Sequence, residues 1–128
     1  MSDWYHEGFV EAECPECRVQ MRLQNFRYGT AFFCEKCDIK WYTDSLGRPR
    51  GKPANRETRQ ARMDAHSEFD KLWKNGHMSR RRAYKWLQQE LGVPREQCHM
   101  KEMDAATCRR VQALVLRKFQ EIRQKSAS

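Results

Sequence analysis

The sequence predicts an α+β protein: a small N-terminal β module stapled by four cysteines and packed on a three-helix C-terminal domain. Three observations carry that expectation. Two C-x-x-C pairs, Cys14–Cys17 and Cys34–Cys37, lie within residues 1–44. A run rich in Gly, Pro and bases, SLGRPRGKPA at 45–54, then interrupts the chain. Beyond it the apolar residues change from alternation to the three-and-four spacing of one helix face.

In the β module, Val19, Met21 and Leu23 alternate with Gln20 and Arg22, the pattern of a half-buried strand. Asn25 to Thr30, with Gly29 inside it, reads as a turn. Ala31-Phe32-Phe33 leads into Cys34, and Ile39 to Thr43 reads as the returning strand. The sixteen residues between Cys17 and Cys34 are enough for a strand out and a strand back.

Each C-x-x-C is a knuckle in which two thiolates reach one cation while backbone N–H groups point at the sulfurs. Two knuckles on neighbouring hairpins complete a tetrahedron. The reading is one structural Zn2+ held by Cys14, Cys17, Cys34 and Cys37, a ribbon over residues 1–44. Four thiolates fill the coordination sphere and leave no position for a catalytic water. An iron–sulfur cluster would take the same ligands, and a pair of disulfides or redox dithiols is the plainer alternative. The acidic start, MSDWYHEGFVEAE, lacks the apolar stretch of a secretion signal. A cytoplasmic setting is therefore expected, where thiols stay reduced and favour metal over disulfides. The residue after the second cysteine of a knuckle favours left-handed backbone, hence Gly. Arg18 and Asp38 stand there instead; Asp tolerates that conformation, whereas Arg is strained.

The 45–54 run reads as an extended basic linker, since Pro denies helix to itself and its predecessor. A helical domain follows over 55–124. Asn55 caps a first helix to about Asn75, with Ala61, Ala65, Phe69, Leu72 and Trp73 inward, and Gly76 ends it. Ser79 caps a second, with Ala83, Trp86, Leu87 and Leu91 inward, stopped by Gly92 and Pro94. Pro94 opens a short turn through Cys98. Asp104 caps the last helix, with Cys108, Val111, Val115, Phe119 and Ile122 in register, and 125–128 reads as a frayed tail. Phe69, Trp73, Trp86, Leu87 and Val111 are expected to share one core.

The net charge of +8 is uneven. Residues 1–44 carry eight acids and five bases, a balance of −3, and the rest carries nine acids and twenty bases, a balance of +11. A field of that sign suits phosphate backbones or acidic protein surfaces; solubility alone is the bland account. The candidate partner-binding residues are Arg48, Arg50, Lys52, Arg56, Arg59, Arg80, Arg81, Arg82, Arg109 and Arg110. Three bases at a helix N-terminus oppose the macrodipole, a modest cost that a binding role would explain. No apolar run approaches the ~20 residues of a membrane span. His66, Asp70, Cys98, His99 and Cys108 could make a second metal site; the bland reading buries both cysteines as small apolar residues and gives His66 a hydrogen bond. No clustered carboxylates or plausible nucleophile–base pair suggest an enzyme.

The texts LGRPRGKPANRETRQARMDAHSEFDKLW and RRRAYKWLQQELGVPREQCHMKEMDAATCRRV, behind a CxxC…CxxC ribbon, resemble a family of small phage and prophage zinc-finger-containing proteins of unknown function. The resemblance covers residues 14 to 111. It rests most on Ala65-His66-x-x-Phe69-Asp70-x-Leu72-Trp73, Ala83-Tyr84-x-Trp86-Leu87 and Cys98-His99. Residues 101–103 and the absence of an aromatic-glycine pattern between the knuckles depart from it. The resemblance implies a zinc ribbon and a mobile-element setting in a host cytoplasm. Together with the charge, it points to a protein that binds nucleic acid, or a host nucleic-acid-handling complex, through an Arg-rich helical face. The alternatives are a protein-only inhibitor or adaptor acting on a host defence nuclease or transcription machinery, and a structural assembly component.

Overall fold

A computed structural model of the chain describes residues 12–127, and the acidic N-terminal stretch through Glu11 lies outside the described residues, as does Ser128. The chain divides into two compact units, Met1–Glu57 and Thr58–Ser128. The first carries a three-stranded sheet, β1 (Arg22–Phe26), β2 (Gly29–Cys34) and β3 (Ile39–Tyr42). Three helices follow, α1 (Arg56–Lys74), α2 (Arg80–Leu91) and α3 (Ala105–Ala127), with two 3-10 turns, Arg95–Gln97 and Met100–Glu102, before α3.

The sheet is an antiparallel meander in the order β1-β2-β3. β1 and β2 close on a two-residue turn, Arg27-Tyr28, with Phe26 opposite Gly29. Gly29 sits at φ 133°, a conformation that L side chains rarely adopt. The turn is thus tighter than the Asn25–Thr30 span expected from sequence: Asn25 and Phe26 complete β1, Gly29 and Thr30 open β2, and the Thr30 hydroxyl reaches Asn25 Oδ1 at 2.8 Å. The alternation at 19–23 also overstated burial. Met21 is buried, but Val19 and Leu23 are 58% and 51% exposed. The core of this unit is a six-residue cluster, Ala12, Cys14, Met21, Phe32, Cys34 and Ile39, and β1 runs beyond its edge.

Residues 45–54, read from sequence as a linker, fold back along β3. Thr43 pairs with Pro49 and Lys40 with Ala54 as isolated antiparallel bridges. Lys40 and Ala54 exchange both backbone hydrogen bonds at 3.0 Å, Arg50 N–H donates to the Tyr42 carbonyl at 2.9 Å, and the Trp41 indole donates to the Gly51 carbonyl at 3.1 Å. Pro49 and Pro53 have no N–H to give a ladder, which explains isolated bridges in place of a regular strand. The Asp44 carboxylate accepts from the N–H groups of Leu46 and Arg48 at 2.9 and 3.0 Å and fixes the turn that starts the return.

In the second unit the helix signals act as the sequence foretold. The Ser79 hydroxyl accepts from Arg82 N–H at the start of α2, and Gly92 closes it in the left-handed conformation at φ 68°. Asp104 Oδ1 accepts from Thr107 N–H at 2.7 Å at the start of α3. α3 continues through Lys125 to Ala127, because no Gly or Pro after Arg123 stops it. Ala61, Ala65, Phe69 and Leu72 of α1 share one core with Ala83, Leu87 and Leu91 of α2 and with Cys108, Val111, Leu114 and Val115 of α3. Cys98, Met100 and Met103 complete it from the connector. Trp73 and Trp86, expected within the core, are only partly buried against it. The Trp73 indole N–H explains its place at the rim, where it donates to Asp70 Oδ1 at 3.2 Å.

Candidate metal centre

The first knuckle hangs on a short hairpin. Glu13 and Gln20 form an antiparallel bridge, Met21 N–H donates to the Ala12 carbonyl, and Cys14 N–H to the Val19 carbonyl. Arg18 N–H then returns to the Cys14 carbonyl at 2.9 Å, folding Cys14 and Cys17 onto one side of the loop. The second knuckle is the β2–β3 loop itself, closed by the Cys34–Ile39 pair. Both loops need a left-handed residue directly after their second cysteine. Arg18 at φ 67° and Asp38 at φ 54° supply it, and among the described residues they are the non-glycine residues with positive φ.

The two knuckles bring Cys14, Cys17, Cys34 and Cys37 together, with all four sulfurs within 4.8 Å of one another. Cys17 Sγ lies 3.6 Å from Cys34 Sγ. Sulfurs at ~2.3 Å from a central zinc in a tetrahedron stand about 3.8 Å apart, so the donor set already has the right size. A disulfide would need about 2.05 Å, and all six cysteines are free thiols. Cys14 and Cys34 are buried and Cys17 and Cys37 half-buried.

The electrostatics of Cys14, Cys34 and Cys37 fit a cation. Burial pushes the Cys14 thiol up, but N–H groups of Cys17 and Glu16 and the Cys34 and Cys17 thiols outweigh it and bring it down to about 7. Cys37 is pushed up to about 12, by burial first and then by the Cys14, Cys17 and Cys34 thiols. At Cys34 the Cys37 N–H pulls the thiol down, while burial together with Cys17 and Cys14 outweighs it and leaves the thiol raised. Cys14 ionises readily, and Cys34 and Cys37 resist. A divalent metal reverses that resistance, since a coordinating thiol is deprotonated outright. Soft thiolates in a tetrahedral S4 set suit zinc, and four of them close the site to water. This is a structural zinc site.

A family profile described as a zinc-finger-containing domain matches residues 12–118. The chain belongs to that family. No curated protein and no solved structure matches the chain. The family's profile spans both the four-cysteine module and most of the three-helix region, so the helices are part of the domain and not an appendage.

The basic residues singled out from sequence fall into separate places on this zinc-finger-containing domain. In the first unit, Arg48 pairs with Asp44 at 3.4 Å and Arg56 with Asp38 at 2.8 Å, while Arg50 and Lys52 are exposed. In the second, Arg59 is half-buried and Arg80, Arg81 and Arg82 are exposed. Arg80 lies over Tyr84 and Trp73, its guanidinium carbon 4.9 and 5.7 Å from the two ring centroids. Arg109 pairs with Asp64 at 3.7 Å, and Arg110 donates to the Glu90 carbonyl near the far end of α2 from Arg80. Ten residues of helix separate those two ends, about 15 Å. Arg80–Arg82 and Arg110 therefore belong to different patches. Arg62, absent from the candidates, is half-buried and donates from Nε to the Met103 carbonyl at 2.7 Å, pinning the connector. Burial holds its guanidinium below its usual pKa.

The residues weighed for a second metal do not gather. Cys98 and Cys108 are core residues whose thiols burial pushes up, while His99 is exposed. His66 Nδ1 lies 3.0 Å from Asp70 Oδ2, which serves the buried carboxylate along with the Trp73 indole and Lys74. Among the described residues, the four-cysteine cluster is the one group of three or more potential ligands close enough to share an ion.

Proposed function

We propose that this zinc-finger-containing domain is a binding protein, not an enzyme, and that its helical unit engages the phosphate backbone of nucleic acid. One observation carries the reading. The first unit has nine bases and nine acids, whereas Thr58–Ser128 has sixteen bases and eight acids, so the whole net charge of +8 resides on the helical unit. On that unit Arg80, Arg81 and Arg82 are consecutive and exposed, and among the described residues none has an acidic partner. Long cationic side chains that neutralise no internal charge are available to an external polyanion, and Arg forks suit phosphate oxygens. The aromatic faces beneath Arg80 hold one of those forks in place before binding. The closed four-thiolate sphere supports a structural role for zinc. A cytoplasmic, mobile-element setting is part of the proposal, and free cysteines suit a reducing compartment.

Binding of short duplex and single-stranded DNA and RNA, followed by fluorescence anisotropy across salt, tests it. Phosphate contacts make affinity fall steeply with salt, and each contact removed lowers the slope by roughly one. An Arg80/Arg81/Arg82→Ala triple variant is expected to lose a slope of about two to three. A wild type without affinity at low salt defeats the reading. The inhibitor or adaptor role then takes the arginines as a dock for acidic side chains.

A further inference from the structure

The sheet of the first unit has a second face that the zinc site does not use. In an antiparallel ladder, directly opposed residues and every second residue along a strand share a face. Arg22, opposite Phe33, thus shares a face with Phe26, Ala31, Lys40 and Tyr42. The other face, with Phe32, Cys34 and Ile39, is the buried one beside the sulfurs.

That unused face is aromatic and basic. Phe26 and Phe33 meet edge to face, with centroids 5.2 Å apart, and Lys40 Nζ sits 3.9 Å from the Phe26 centroid. Phe26, Phe33 and Tyr42 are each half-buried, and Ala31, on the same face, is fully buried. At the end of the same hairpin Tyr28 is 69% exposed, with the Arg27 guanidinium 5.4 Å from its ring centroid. The three strands contain no acid; their charged residues are Arg22 and Lys40, and Arg27 stands in the turn. The first unit is neutral as a whole, so this is a local segregation of charge.

We infer that this sheet face, Phe26, Phe33 and Tyr42 with Arg22 and Lys40 and with Tyr28 at its rim, is a stacking platform for unpaired bases of single-stranded nucleic acid. Two features choose that occupant. Phe33, Tyr42 and Tyr28 offer ring surface to bases, which every nucleotide can use irrespective of sequence, while Phe26, covered by Lys40 and meeting Phe33 edge to face, braces them. Arg22 and the turn's Arg27, both exposed, complement a phosphodiester backbone, which an apolar peptide lacks. Duplex keeps its bases stacked on each other, so it gains only the charge part of the interaction. The site belongs to the first unit and Arg80–Arg82 to the second, and its operation does not depend on theirs.

The test uses the full chain with zinc bound and three probes of about 12 nucleotides, close to the reach of a few such rings: oligothymidylate, an abasic strand of equal charge, and a duplex. The wild type is expected to bind oligothymidylate more tightly than the abasic strand. A Phe26→Leu/Phe33→Leu variant keeps the face apolar but removes its paired rings, and zinc content with thermal midpoint verifies its fold. It is expected to lose about tenfold for oligothymidylate, with abasic affinity unchanged. Tyr28→Ala, at an exposed turn, gives a smaller loss in the same direction and cannot be blamed on unfolding. The same comparison in the Arg80/Arg81/Arg82→Ala background separates the two sites: the thymidylate-over-abasic preference persists there if the platform stands alone, whatever becomes of duplex binding. Equal affinity for thymidylate and abasic strands, full affinity in a folded double-leucine variant, or no binding of any probe overturns the inference. The last outcome would leave the face to a protein partner.

Discussion

Replacing Arg18 with glycine is expected to tighten zinc binding and raise the stability of the first unit. Arg18 occupies the left-handed region at φ 67° because the first knuckle must turn there to bring Cys17 beside Cys14. An L-residue with an ordinary side chain is destabilised there by roughly 1–2 kcal/mol. Glycine avoids that cost but loses more backbone freedom on folding, roughly 0.5–1 kcal/mol. The difference favours the variant by about 0.5–1 kcal/mol. Little is lost against it: Arg18 and Glu13 lie 3.8 Å apart with side chains 79% and 54% exposed, a loose pair that salt screens. Binding and folding are coupled in a structural zinc module, so the gain should appear as a two- to fivefold tighter zinc, at about 1.4 kcal/mol per decade. Competition against a chromophoric chelator at fixed pH measures it, with thermal unfolding as a second readout. Asp38→Gly is the control. Asp38 sits at φ 54°, but Asp tolerates that region and its carboxylate meets Arg56 Nε at 2.8 Å, so no gain is expected. An Arg18→Gly protein that holds zinc no more tightly than the parent, or an equal gain from Asp38→Gly, would refute the reasoning.

Two further outcomes follow from the packing. Cys34→Ser, which removes a buried ligand, should abolish stoichiometric zinc in elemental analysis and unfold the first unit, leaving the helical content of the second in far-ultraviolet circular dichroism; a well-folded, zinc-free parent protein would defeat the metal assignment itself. Phe69→Ala should cost about 3–5 kcal/mol, as for an emptied aromatic site, and Trp73→Ala less, because Phe69 is fully buried whereas Trp73 lies half-exposed at the rim; the reverse order in thermal denaturation would contradict the packing.

The parts of this domain that were legible in sequence are those set by local chemistry. Ligand spacing announces the zinc site, and the demand for left-handed backbone after each second cysteine falls on Arg18 and Asp38 as expected. Ser79, Gly92 and Asp104 mark helix ends because their caps involve residues no more than a few positions away. The core face of α1 and α2 follows from the three-and-four spacing, save for the tryptophans. An indole carries a donor that must be satisfied, and the Trp73 N–H is held by Asp70 three residues before it, which leaves the ring only partly buried. In the connector, burial of Cys98 was legible from its residue type, but that of Met100 and Met103 was not. Cys98, Met100 and Met103 enter the core from short 3-10 turns, which are too brief to show a period.

What sequence conceals most completely is register. A wide turn over Asn25–Thr30 would leave Phe26 in a loop, with no defined face and no neighbour. The two-residue turn at Arg27-Tyr28 instead places Phe26 in β1, two positions along its face from Gln24 and four from Arg22, and that alone brings its ring to Phe33 and under Lys40. A slip of one residue would move every side chain of β1 to the opposite face. Phe26 would then lie on the side of Phe32 and the sulfurs, and Leu23 would move to the outer face. The aromatic-basic surface is therefore a consequence of pairing, created by a turn whose length is held by Gly29 at φ 133°. Substituting that glycine strains the turn whatever the space around it, although the nearest atom to a new Cβ would be Tyr42 Cδ1 at an unstrained 3.9 Å. Backbone conformation, more than crowding, fixes which face of the sheet the rings occupy.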